Sequence, residues 1–73
     1  QYSLPKRTFV NLTIYDLLGR EVKNLLNGIE QPGIKQIKWN STDNTGKVMA
    51  SGIYVLRIHT EEFTKSKKMV LLR

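Results

Sequence analysis

Asn40, Thr42 and Asn44 alternate through a polar run that also holds Asp43, and alternating oxygen ligands are what a calcium loop requires. Gly46 falls one place late for the sharp turn of such a loop, no bidentate Glu follows, and only Asp43 brings a full charge. A hydrogen-bonded Asx-type turn accounts for the same residues more simply. His59 is the single histidine, so no second imidazole can share a metal with it. Glu61 and Glu62 are adjacent, and a strand or tight turn splays neighbouring side chains apart, which is poor geometry for paired acid–base work. With no cysteine and no catalytic constellation, the expectation is a protein that is not an enzyme and needs no metal or cofactor.

The remaining chemistry is charge and aromatic surface. Lys65, Lys67 and Lys68, with Arg73, form the one basic cluster, and Arg57 and His59 on the preceding strand could extend it into a positive stripe. It lacks interleaved aromatics and any nucleic-acid motif, so no nucleic-acid partner is expected. Phe9 and Tyr15 fall on the strand face opposite Val10, Leu12 and Ile14, a weak sugar-binding signal. Asn11-Leu-Thr13 and Asn40-Ser-Thr42 match the glycosylation sequon, a pattern too short to carry weight.

The elements that must position these groups are strands. Val10, Leu12 and Ile14 alternate with polar residues over Thr8 to Tyr15, and Asp16 to Gly19 reads as a turn. Arg20 to Leu26 reads as a second strand, although Val22, Leu25 and Leu26 also fit helical spacing. Asn27-Gly28 and Pro32-Gly33 are turn signals. Gly33 to Asn40 predicts a third strand, with Ile37 and Trp39 inward and Gln36 and Lys38 outward. After the loop Ser41 to Lys47, Gly52 to Thr60 is the clearest strand, placing Tyr54, Leu56 and Ile58 on one face. Glu61-Glu62 turns the chain back through Phe63 to Leu72. Neither face of that last strand is cleanly apolar, and a bulge near Lys67-Lys68 would help; its register stays open. Tyr2 to Pro5 reads as a short edge segment.

About six or seven short strands imply an all-β, immunoglobulin-like antiparallel β-sandwich with Val10, Leu12, Ile14, Ile37, Trp39, Tyr54, Leu56 and Ile58 as its core. Seventy-three residues make one domain, small enough for marginal stability. There is no initiator Met, no signal peptide and no apolar run long enough to span a membrane, so a fragment excised from a longer exported protein is expected. The net charge of +6 favours anionic partners, but dispersed lysines also serve to blunt strand edges.

One ordered set of motifs runs along the chain. Tyr2-Ser-Leu-Pro5 is followed by Val10-Asn-Leu-Thr-Ile-Tyr-Asp-Leu-Leu-Gly-Arg-Glu-Val22. Then come Trp39 with its polar turn, Ala50-Ser-Gly-Ile-Tyr54 and Lys67-Lys-Met-Val-Leu-Leu72. Together they resemble the C-terminal sorting domains of the type IX secretion system, which are related to the immunoglobulin-like domain of flagellar hook-capping proteins. The resemblance implies a non-catalytic address on a secreted or cell-surface bacterial protein, carried through the periplasm and across the outer membrane. It implies two protein partners, the secretion machinery and a cargo domain upstream in the same chain, with an anionic polysaccharide as a further candidate. Recognition would fall on the final strand, here Lys65, Lys67, Lys68, Met69, Val70 and Leu71. The alternative is an accessory structural or carbohydrate-binding module of a secreted enzyme. Relatives often carry Trp-Asp-Gly where this chain has Trp39-Asn40-Ser41; if that glycine serves a positive φ, Ser41 needs a different turn.

Overall fold

A computed structural model describes residues 1–72. Arg73, grouped above with the basic cluster, lies outside the described residues. Among the described residues there is no helix, and six strands form two antiparallel sheets: β1 (Tyr2–Leu4), β2 (Thr8–Tyr15), β3 (Glu21–Glu30), β4 (Gly33–Lys35), β5 (Gly52–Thr60) and β6 (Thr64–Leu71). The larger sheet runs β3-β2-β5-β6, and β1 pairs with β4 in a two-stranded sheet. This is an immunoglobulin-like β-sandwich.

Strict alternation explains why β2 and β5 have the bounds expected from sequence. Val10, Leu12 and Ile14 are essentially inaccessible to solvent, and Tyr54 and Ile58 are buried beside them. Leu4 and Val22 complete the buried set and were not foreseen in it. Leu56, Ile37 and Trp39 are half-buried and pack against two adjoining clusters, one around Leu12 and Ile58, the other around Ile14 and Tyr54.

β3 resolves the helix-like spacing of Val22, Leu25 and Leu26. Its pairing with β2 slips twice, between Leu12 and Thr13 and between Ile14 and Tyr15, so Leu25 and Val22 have no direct partner on β2. Each slip is an extra residue that turns the following side chains over. An extended strand can thereby present Val22, Leu25 and Leu26 to the core. The Asn24 amide donates to the Leu12 and Leu26 carbonyls and to Thr13 Oγ1, supplying donors where the ladder is disrupted.

Three local expectations are corrected. Asn27-Gly28 is not a turn: it lies inside β3 opposite Asn11 and Val10, and Asn11 Nδ2 donates to Asn27 Oδ1 at 3.2 Å. Long-range pairing overrides the dipeptide's turn preference there. The strand expected over Gly33 to Asn40 ends at Lys35, although Ile37 and Trp39 still face inward and Gln36 and Lys38 remain exposed. No bulge interrupts the last strand, since β6 pairs with β5 in one unbroken register from His59–Thr64 to Gly52–Leu71.

Candidate functional site

The polar loop that first suggested metal binding is built from turns. Asp43 Oδ1 accepts from the backbone N–H groups of Thr45 and Lys47, each at 2.9 Å, and from Thr45 Oγ1 at 2.7 Å. Asp16 does the same one hairpin earlier, accepting from the N–H groups of Leu18 and Arg20, with Arg20 Nε on its other oxygen at 2.8 Å. In both turns the Asp N–H reaches the carbonyl four residues on, the Gly N–H returns to the Asp carbonyl, and the glycine has positive φ, +84° at Gly19 and +88° at Gly46. The two turns follow one plan, Asp-x-x-Gly-(Lys/Arg), a repeat present in the sequence that the reading above passed over. These donors hold both carboxyls below the usual carboxylate range, chiefly the Arg20 amide at Asp16 and the Thr45 hydroxyl at Asp43. No group of three or more His, Cys, Asp or Glu is placed to hold a metal ion among the described residues.

The loop also covers a sheet edge. Asn44 N–H donates to the Val22 carbonyl at 3.0 Å, Asn44 Oδ1 accepts from Asn24 N–H at 2.9 Å, and Asn44 Nδ2 donates to Glu21 at 2.9 Å. Asn44 thus stands in for a strand residue along Val22–Asn24, capping part of an edge that would otherwise be open to pairing. Trp39 packs against the cluster of Ile14, Val22 and Tyr54 and, with Ser41, borders a small hollow beside Met69, Val70 and Leu71 at the end of β6. Its Nε1 donates to the Thr42 carbonyl at 2.8 Å, and its ring meets Tyr54 edge-on at 5.2 Å. The Tyr54 hydroxyl donates to the Ala50 carbonyl at 2.7 Å, fixing the entry into β5 much as the tyrosine corner does in immunoglobulin sandwiches.

At the opposite edge stands β6, which among the described residues pairs with β5 alone. The turn leading into it is closed by Thr60, whose Oγ1 accepts from the N–H groups of Glu62 and Phe63 at 3.1 Å. The six residues expected to carry recognition lie on this strand but on two faces. Lys65, Lys67, Met69 and Leu71 stand opposite Ile58, Leu56, Tyr54 and Gly52, on the core side; Lys68 and Val70 stand opposite Val55 and Ile53, on the outer side. Met69 and Leu71 pack against the Tyr54 cluster and seat the end of the strand. The lysines remain exposed, as does Val70 at 68%. The expected single basic stripe is therefore divided: Arg57, His59 and Lys68 belong to the outer face, Lys65 and Lys67 to the inner one.

Beneath Lys65 and Lys67 the two sheets part. A groove of about 410 Å³ opens there, floored by Tyr2, Leu12, Ile37, Leu56 and Phe63. Lys65 Nζ stands 5.4 Å from the centre of the Phe63 ring. On the outer face a shallower hollow of about 380 Å³ is bordered by Tyr15, Asp16, Leu17, Val55 and Arg57. Phe9 and Tyr15 are half-buried, and Tyr15 borders that hollow.

The domain is thus a small immunoglobulin-like sandwich whose larger sheet has one edge partly capped by Asn44 and the other formed by β6. The family model described as FlgD Ig-like domain matches residues 2–62, and the chain belongs to that family, an immunoglobulin-like domain of flagellar hook-capping type. No curated protein and no solved structure matches it. The matched span ends at Glu62, just before β6. No helix among the described residues is long and apolar enough to cross a membrane.

Proposed function

We propose that this domain is a non-catalytic sorting module, a folded address that directs an attached exported protein across the outer membrane to the cell surface or medium. The observation that carries the reading is β6, an unpaired outer edge of the larger sheet with Lys65, Lys67 and Lys68 exposed along it. An unpaired strand edge is a ready template for a partner's backbone, and recognition by strand addition needs no catalytic group. The ordered motifs from Tyr2 to Leu72 support the same reading through their resemblance to type IX sorting domains, which are related to the family the chain belongs to. A carbohydrate-binding role would have to use the outer hollow beside Tyr15. The Asp16 carboxylate there is already taken by its own turn and by Arg20, which leaves little to hold a sugar.

The test is a fusion of residues 1–73 to a periplasm-directed reporter in a bacterium that has this secretion system. Reporter at the surface or in the medium is the expected result. Reporter that stays in the periplasm while the fused domain is folded defeats the proposal.

A further inference from the structure

The inner face of the β6 segment runs Phe63, Lys65, Lys67, Met69: apolar, basic, basic, apolar. Phe63 packs against the Leu12 cluster and Met69 against the Tyr54 cluster, so both ends of this row are seated. The two middle residues are lysines where burial would call for apolar side chains, directly across from Leu56 and Ile58. Neither makes an ion pair among the described residues; the salt bridges there join Lys6 to Glu62 and Arg20 to Asp16. Inward-pointing charge on an edge strand repels an ordinary incoming strand, because pairing would strip water from an ammonium group without compensation. A second copy of this chain pairing through β6 would bring more lysines to the same edge. A strand carrying carboxylates at the facing positions would instead satisfy both lysines, and opposite charges across strands are stabilising.

We propose, resting on the sorting reading above, that β6 accepts a further strand from an acidic partner segment of pattern apolar-x-acidic-x-acidic-x-apolar. Its two carboxylates face Lys65 and Lys67, and its apolar ends lie beside Phe63 and Met69. Because apolar-basic-basic-apolar reads alike in both directions, the pattern serves a parallel or an antiparallel addition. The apolar end beside Phe63 meets the groove floored by Leu12, Ile37 and Leu56, while the carboxylates stay at its rim with Lys65 and Lys67.

The experiment titrates the isotope-labelled 73-residue chain with the blocked peptide LTETETL and follows amide shifts by NMR. Two comparators are LTQTQTL, which lacks charge, and LETTTEL, which has the same composition with its acids moved to the other face. LTETETL should saturate, with the largest shifts in residues 63–71, and each comparator should bind roughly tenfold more weakly. A Lys65→Gln/Lys67→Gln variant, checked for folding by circular dichroism, should lose about the same factor. Equal binding of all three peptides, binding by none, shifts centred on β3 and not on residues 63–71, or self-association through β6 in place of peptide binding would each overturn the inference. If the reporter fusion is exported while LTETETL fails to bind, this inference alone falls; if the fusion is not exported, the sorting reading falls whatever the peptides do.

Discussion

Ser41 should be the cheapest place to stabilise this domain, and glycine the residue to do it. Ser41 has φ +67°, the one non-glycine residue in the left-handed region among those described. The bonds around it hold that conformation: Asn40 Oδ1 accepts from Thr42 Oγ1 at 2.6 Å, Met49 N–H reaches the Ser41 carbonyl at 2.8 Å, and Trp39 grips the Thr42 carbonyl. A residue with a Cβ costs about 1–2 kcal/mol in that region. Glycine removes the strain but gives the unfolded chain about 0.4–1 kcal/mol of extra freedom. The net for Ser41→Gly is a gain of about 0.5–1 kcal/mol, which for a domain of this size raises Tm by roughly 2–8 °C. Thermal unfolding followed by circular dichroism, with urea titration alongside, reads it. Gly46→Ala supplies the mirror experiment. Nothing lies within 4 Å of where its Cβ would stand, so backbone strain at φ +88° is the whole effect and a loss of similar size is expected. Ser41→Ala keeps a Cβ and should gain nothing. If Ser41→Gly is neutral or destabilising, or Ser41→Ala gains as much, the backbone argument is wrong. Ser41 thus adopts the left-handed conformation itself, at a cost, at the place where relatives often carry the glycine of Trp-Asp-Gly.

Three further outcomes follow from the geometry. Tyr54→Phe removes the hydroxyl bonded to the Ala50 carbonyl and should cost about 0.5–1.5 kcal/mol in urea unfolding, with the ring packing on Trp39 retained. Asn44→Ala strips an acceptor from the Asn24 amide and should cost about 1 kcal/mol, with faster hydrogen exchange at Asn24 than at β5 amides. Asp16 and Asp43 have folded pKa values below their ordinary 3.8, so each favours the folded state fully above that pH and loses its contribution as pH falls through the lowered value. An Asp16→Asn/Asp43→Asn variant should accordingly show a flatter fall in Tm than the parent as pH drops below about 4.

What could be read from the chain depended on how local its causes were. β2 and β5 obey strict alternation, so their bounds follow from residue type alone. β3 does not, because its double slip is a consequence of pairing with β2, and a strand that slips twice mimics helical spacing at Val22, Leu25 and Leu26. Asn27-Gly28 misled for the same reason: its turn preference is local, whereas Asn11 and Val10 fix it from across the sheet. The cap that Asn44 places on β3 joins residues 20 or more apart in the chain, and no spacing rule reports it. Within β6 the two faces were legible, but which faced the core was not, since Lys65 and Lys67 occupy positions a pattern reading assigns to apolar residues.

The repeated Asp-x-x-Gly-(Lys/Arg) turn has a consequence for how the molecule comes apart. One copy closes the hairpin into β3, and the other carries the loop whose Asn44 lies on the same strand. Beyond its ladder with β2, both turns that flank β3 therefore rest on carboxylates that are strongest acceptors when ionised. The β5–β6 hairpin is closed instead by the Thr60 hydroxyl, which does not titrate. Acid should loosen the sandwich from one flank, with β3 opening before β6. Partial unfolding would then leave the exposed basic strand still formed on β5, so the edge that the proposed strand addition requires would outlast the integrity of the sheet's far side.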